Sequence, residues 1–414
     1  MNVIIIGAGA SGLLAALTLS RKGHSVIVLE ARDRLGGRIH TLSGFSSVAE
    51  AGPEFVHGDL PLTISLLEQA SIPLLPAGGK LYNSQKGQWA SGWMAEGWDE
   101  LVEKMGSLSS DMTVDAFLDT YYPTSPDLQA SMRRYAEGYD LADTRMASTQ
   151  ALYAEWTKEE GAQHRVQGGY HSLIGFLAST VKDSIYTGAT VKEIHWHPGS
   201  VRVVTSDGRA FEGDAALITV PLGILQSAAD QPAHIVFFPA IPAYMDAAHR
   251  MGYGSVIKVL LEFREPFWAP DMGFLVSDQP LPVWWTQAPV NTHLLTGWFG
   301  GPRTETYKDA APEAVLSMAL ESLSGVFHID PAALREGLAH WVVADWRRDP
   351  FALGAYSFST IDEADARSVL NTPVEGTLYF GGEALYEGDL TPGTVEAALA
   401  SGLAVAERIL AAKG

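Results

Sequence analysis

Val3-Ile4-Ile5-Ile6-Gly7-Ala8-Gly9-Ala10-Ser11-Gly12 is the stretch whose reading decides the fold. A short apolar run meets a glycine-rich turn, and then Leu13, Leu14, Ala16, Leu17 and Leu19 recur at helical spacing. The order is strand, glycine turn, helix. In such a unit Gly7 allows the tight turn, Gly9 puts no side chain between the backbone and a pyrophosphate, and Gly12 lets helix and strand approach. The free N–H groups of the helix N-terminus, at Ala10 and Ser11, face the anion.

A second strand, Ser25–Leu29, ends in Glu30. A carboxylate there accepts hydrogen bonds from both hydroxyls of an adenosine ribose and repels a 2′-phosphate, so FAD or NAD is favoured over NADP. Strand, helix, second strand and terminal acid all stand in order, which makes the motif far more specific than its glycines alone.

Outward from this unit, 414 residues exceed what one hydrophobic core organises, so two domains or one domain with a large insertion is expected. A composition with 47% hydrophobic and 18% charged residues excludes disordered and fibrous classes. The absence of cysteine excludes disulfides, thiolate metal sites, a redox dithiol and a thioether bond to a flavin, and no metal site is expected. A net charge of −20 argues against nucleic-acid and anionic-membrane partners and steers cationic ligands inward. The first strand follows Met1 directly and no apolar run reaches membrane-spanning length, so a cytoplasmic protein without a leader or membrane span is expected. Nothing in the sequence fixes the oligomeric state.

After Glu30 come Ala31, Arg32 and the pair Gly36-Gly37, which lets Arg38 reach a diphosphate with its two-pronged guanidinium. With this second phosphate-binding turn so close to the first, the chain resembles the flavin-containing amine oxidase family, which includes monoamine oxidases, polyamine oxidases and flavin histone demethylases. The resemblance covers nearly the whole chain and is weakest over 77–165. It implies an α/β architecture: a Rossmann-type FAD-binding domain of the glutathione-reductase-like kind, assembled from 1–76, 166–240 and 352–414. A mixed sheet-and-helix substrate domain is built from 77–165, mostly helical, and 241–351.

The same resemblance assigns roles. The loop 49–58 runs under the flavin into the substrate cavity, where His57 or Glu54 would receive a distal ammonium. Residues 184–197, 201–206 and 215–220 read as strands, with Val191 beside the cofactor. Lys258, in an alternating strand where burial is costly without a partner, matches the family's lysine that holds a water against flavin N5. Trp284, Trp285, Trp298 and Phe299 lie in strand-like runs that floor the cavity, and the acids Glu96, Asp99, Glu100 and Glu103 read as solvated helix faces.

Near the C-terminal side, Trp346 reaches the cofactor and Tyr356 walls the substrate channel. Ala355 stands where covalent relatives carry a cysteine, so the FAD is expected to be non-covalent. Gly382 and Glu383 lie near the diphosphate. Thr391 and Thr394 open a final helix with Thr391 as N-cap, its apolar stripe running from Val395 to Leu410 and its N-terminus aimed at the flavin. The second aromatic wall of many relatives falls at Leu390 or Thr391, neither aromatic, which leaves Tyr386 or a single wall. The membrane tail of mitochondrial monoamine oxidases is not expected here.

The activity implied is oxidation of a C–N bond of a primary or secondary amine, polyamines included, by hydride transfer to FAD, with O2 as acceptor and an imine or aldehyde plus hydrogen peroxide as products. The loop 52–58 holds no arginine to clamp a carboxylate, although Arg133, Arg134 or Arg303 could be folded in. Amino-acid oxidation, C–C or C–O oxidation of the desaturase or protoporphyrinogen-oxidase kind, and a low-turnover flavin-binding protein are the alternatives.

Overall fold

Asn2–Ile6 alternates its contacts: Val3 and Ile5 pack on one side of a sheet, Ile4 and Ile6 on the other. A strand buried on both faces needs apolar residues at every position, which is why this one reads as an unbroken run. In a computed structural model describing residues 1–89, 95–158, 161–363, 365–388 and 391–412, it lies at the centre of a five-stranded parallel sheet. The order is Ile185–Tyr186, Ser25–Leu29, Asn2–Ile6, Ala215–Ile218 and Leu378–Phe380.

One face of this sheet is covered by the first helix, Ala10–Arg21, the helix His171–Ala178 and the last helix, Val395–Ala411, through Leu13, Leu17, Leu173, Leu177, Leu399 and Ile409. Against the other lies a four-stranded sheet that contributes Val191, Ile194, Val201 and Val203. The run 184–197 is therefore two strands: Ile185–Tyr186 edges the parallel sheet, and Val191–His197 belongs to the four-stranded one.

A second large sheet has seven strands, in the order Leu338–Asp345, Val256–Phe263, Leu294–Gly300, Val283–Trp285, Met272–Ser277, Lys80–Gln85 and Gln88–Trp89. Within Val256–Phe263, Ile257, Val259, Leu261 and Phe263 pack against the helix Pro312–Phe327, so the pleat turns Val256, Lys258, Leu260 and Glu262 to the opposite face. All eight residues are buried. Lys80–Gln85 and Gln88–Trp89 open with sheet a segment read as mostly helical; its helices are Trp98–Gly106, Val114–Tyr121, Pro126–Gly138 and Thr149–Trp156. These share a separate core around Leu101, Phe117 and Met132, and the second and fourth carry threonine and serine N-caps at Thr113 and Ser148. Trp93 lies outside the described residues. Glu96, Asp99, Glu100 and Glu103 are exposed.

The last helix begins later than its sequence suggests. Gly393 has φ +79, so the chain turns there, and Thr394 is the N-cap: its Oγ1 accepts from the amide of Ala397 at 3.1 Å and donates to the carbonyl of Thr391 at 3.0 Å. Among the described residues no helix is long and apolar enough to cross a membrane.

Candidate active site

A cavity of about 1170 Å³ is lined by residues drawn from both large sheets. Gly7, Gly9, Ala10, Ser11, Glu30, Ala31, Arg32, Gly37, Arg38 and Val191 line it together with Lys258, Glu54, His57, Trp346, Tyr356, Gly382, Glu383, Thr391 and Thr394. Gly12 is absent from the lining because its task lies behind it: a Cβ there would stand 2.1 Å from the carbonyl oxygen of Gly7.

The dinucleotide end fits the cofactor implied by the sequence. A Cβ on Gly9 would meet only the carbonyl of Gly36, at 3.9 Å, so the backbone is open to a ligand. The hydroxyl of Ser11, in the first turn of the first helix, is buried and has no hydrogen-bond partner among the described residues, as a phosphate ligand would require. Glu30 is held by the amides of Ala8 (2.8 Å) and Arg32 (2.9 Å). Arg32 pairs in turn with Asp349 at 2.5 Å and lies over the ring of Phe351. Arg38 donates to Glu383 at 2.8 Å and to the carbonyl of Ala355. Glu383 also accepts from the hydroxyl of Ser357 at 2.6 Å. Burial opposes the charge on Arg38, but Tyr253 and Glu383 outweigh it and keep the guanidinium above its ordinary pKa.

At the other end Lys258, 1% exposed, donates to Glu54 Oε2 at 3.2 Å and to the carbonyl of Gly52 at 3.1 Å, with its Nζ 5.1 Å from the centre of the Trp285 ring. Four side chains donate to Glu54: Lys258 and the Trp285 indole (2.9 Å) to Oε2, Arg165 (2.9 Å) and Gln287 (2.9 Å) to Oε1. Burial pushes the Glu54 carboxyl upward, but Lys258 and Arg165 prevail and hold it below the usual range. Both oxygens of Glu54 are engaged, with Lys258 and Arg165 as its two cationic partners, and Glu54 lines the cavity. His57 ends the short strand Phe55–His57, paired with Gln163, and lines the cavity.

Tyr356 donates its hydroxyl to the carbonyl of Tyr139, and its ring stacks with Trp298 at 6.5 Å and 26°. Trp298 is fixed by an indole bond to the carbonyl of Gly138 at 2.7 Å. The aromatic partner of Tyr356 thus comes from the strand Leu294–Gly300 and not from the turn at Tyr386, which does not line the cavity; Leu390 lies outside the described residues. Of the tryptophans expected at the floor, Trp285 and Trp298 line the cavity with Phe299, whereas Trp284 is in the core behind. Arg133 turns away to Asp115 at 2.9 Å, while Arg134 and Arg303 line the cavity.

Several cavity or supporting residues carry no signal in the sequence: Arg165, Gln287, Tyr139, Asp140 and Glu155. Arg165 and Gln287 reach Glu54 across 111 and 233 residues, and Tyr139, Asp140 and Glu155 lie in or just after helices whose spacing does not point to the cavity.

A dinucleotide turn and a buried, ion-paired lysine sharing one aromatic cavity define a flavin-dependent oxidoreductase. The chain belongs to the flavin containing amine oxidoreductase family, whose model matches residues 10–90 and 86–410. It is 28% identical over 445 residues to lysine-specific histone demethylase 1 homolog 3 of Oryza sativa subsp. japonica, with 99% of this chain and 54% of the relative covered. It is likewise 28% identical over 451 residues to polyamine oxidase 2 of Arabidopsis thaliana, covering 98% of this chain and 87% of the relative. The chain spans about half the length of the demethylase-type relatives it matches. In fold it is similar to a putrescine oxidase solved with putrescine bound, with a TM-score of 0.83, 20% identity and 99% of both chains covered.

Proposed function

We propose that the chain is an FAD-dependent amine oxidase that oxidises a C–N bond of a primary or secondary amine, polyamines included. The observation that carries this reading is the placement of Lys258, buried and held by Glu54, in the same aromatic cavity as the dinucleotide turn. Putrescine and polyamine oxidation in relatives supports it. The chemistry supplied by bound FAD is two-electron oxidation of the C–N bond, with O2 as final acceptor and hydrogen peroxide as product.

Everything else falls to this chain's own residues. The turn at Gly7–Gly12 and the amides of the first helix hold the diphosphate, and Glu30 accepts from the ribose hydroxyls. An ammonium has three N–H donors, and Lys258 spends two on Glu54 and Gly52, leaving one for a water in the cavity. Tyr356 and Trp298 wall the reacting end and exclude bulk solvent. The flavin is held without a covalent bond, since no cysteine exists and Ala355 occupies the relevant place. The purified protein should be yellow, its colour should bleach anaerobically with at least one member of a panel of mono-, di- and polyamines, and air should restore it with release of peroxide. Failure with every amine, together with reduction by an amino acid, a polyene or a porphyrinogen, overturns this reading.

A further inference from the structure

Lys258 and Glu54 alone would form a neutral pair, and Arg165 breaks that balance. Arg165 lies in the strand Gln163–Val166 opposite Phe55, with its guanidinium over the Phe55 ring at 4.6 Å. Its Nε donates to Glu54 Oε1 at 2.9 Å, and its terminal nitrogens donate to the carbonyls of Ala288 (3.1 Å) and Thr286 (2.8 Å). The guanidinium is fixed at three points, and its side chain is 12% exposed. Lys258 takes the other oxygen of the same carboxylate, with 1% of its side chain exposed.

One carboxylate therefore serves two buried cations, which leaves one positive charge in excess. Trp285 and Gln287, the other donors to Glu54, are neutral. Glu50 acts on both Lys258 and Glu54, but burial pushes its carboxyl up to about 7, so in mildly acidic buffer it does not cancel the excess. A buried charge without a counter-ion is costly, and such charges concentrate at functional sites. Lys258 and Glu54 line the cavity and Arg165 does not, so its influence on a ligand there is carried by charge and through Glu54.

Two-electron reduction of a flavin with uptake of one proton adds one negative charge to its ring system. A positive charge fixed in a low-dielectric wall favours that reduced form. We propose that Arg165 is a positioning residue of the redox site: by holding one oxygen of Glu54 it leaves the Lys258 ammonium incompletely neutralised, and the excess positive charge raises the reduction potential of the bound flavin. A chain without Arg165 keeps the lysine but is a weaker oxidant of any given substrate.

This rests on the placement of Lys258 toward FAD in the reading above and not on amine turnover, so the test needs no substrate. The holoenzyme and its Arg165→Gln and Arg165→Lys variants are titrated anaerobically with dithionite beside a reference dye of known potential, at about pH 6, where Glu50 is mostly protonated. Flavin absorbance and melting midpoints verify that each variant is folded and loaded. Glutamine removes the charge and keeps a donor for Glu54, whereas lysine keeps the charge and loses the fork. Arg165→Met replaces Arg165→Gln if the latter does not yield a folded holoenzyme. The uncharged variant should shift the equilibrium with the dye about tenfold toward oxidised flavin, about 30 mV for a two-electron couple, and Arg165→Lys should restore most of it. A potential unchanged in the uncharged variant overturns the inference. An equal loss in both variants also overturns it, because altered packing and not charge is then the cause. The expected shift in a protein whose flavin no amine reduces upholds the role of Arg165 and overturns the amine-oxidase reading. Amine oxidation with a potential indifferent to Arg165 does the opposite, and a chain that holds no FAD overturns both.

Discussion

Glu54 gathers four donors onto two oxygens, and two of them are cations. Removing its charge by Glu54→Gln leaves Lys258 and Arg165 buried without a counter-ion, at a cost of about 3–5 kcal/mol. Lys258→Met should cost less, because Glu54 keeps Arg165, Trp285 and Gln287. Urea midpoints of the two variants measure the difference, and the reverse order would show that Glu54 is not the hub. Glu50 gives a pH dependence of the opposite kind. It is 3% exposed, and burial raises its carboxyl from 4.5 to about 7 against hydrogen bonds from the Tyr170 amide and the Thr41 hydroxyl. The folded chain then binds a proton that the unfolded chain releases between those values, so stability falls as pH rises from about 4.5 through 7. Glu50→Gln should remove that slope in denaturation curves taken across the range, with a gain of up to about 3 kcal/mol at alkaline pH. Neither residue's environment is legible in sequence. Lys258, Tyr356 and His57 stand out by family resemblance, but Arg165 lies 111 residues from Glu54 and Gln287 lies 233 residues away, and only the folded sheets bring them together.

At the scale of elements, the helix Pro61–Gln69 begins at Leu60 without a side-chain cap of its own. The last helix supplies one. Glu396, 1% exposed in its first turn, accepts from the amides of Leu62 (2.8 Å) and Thr63 (2.7 Å) and from the Thr63 hydroxyl (2.5 Å). A carboxylate at a helix N-terminus satisfies orphan N–H groups and meets the positive end of the dipole. Glu396→Ala should therefore lower stability by about 2–4 kcal/mol and speed hydrogen exchange at the Leu62 and Thr63 amides first. An unchanged exchange pattern would mean the cap is dispensable. The sequence shows an apolar stripe on this helix, yet Glu396 and Ser401 are also buried, because both the first helix and Pro61–Gln69 pack against it. A stripe reports the face toward one neighbour and is blind to a second. Likewise the run 184–197 has strand character throughout, and only the Gly188 turn, with φ +61, splits it between two sheets.

At the scale of the whole molecule, one cavity joins two sheets, so a ligand that fills it should bind the folded state alone. Removing the flavin should lower the melting midpoint, since a cofactor present at about 100 times its Kd contributes about 2.7 kcal/mol. Acid precipitation should leave the yellow colour in the supernatant; colour kept in the pellet would contradict non-covalent binding. The parallel sheet was legible because its first strand, turn and second strand are contiguous. The cavity's helical wall was not, since its acids and aromatics follow local helix chemistry and acquire meaning only beside Tyr356 and Trp298. The parallel sheet also imposes an order of synthesis. Ala215–Ile218, a neighbour of Asn2–Ile6, leaves the ribosome some two hundred residues after it, and Val395–Ala411 later still. At about 5–20 residues per second Asn2–Ile6, paired with Ser25–Leu29 on one edge, waits roughly 10–40 s for a partner on the other and longer for the helix that covers it. Slowing translation between these segments should lower the yield of native protein, because a strand edge left open in a growing chain is a template for aggregation.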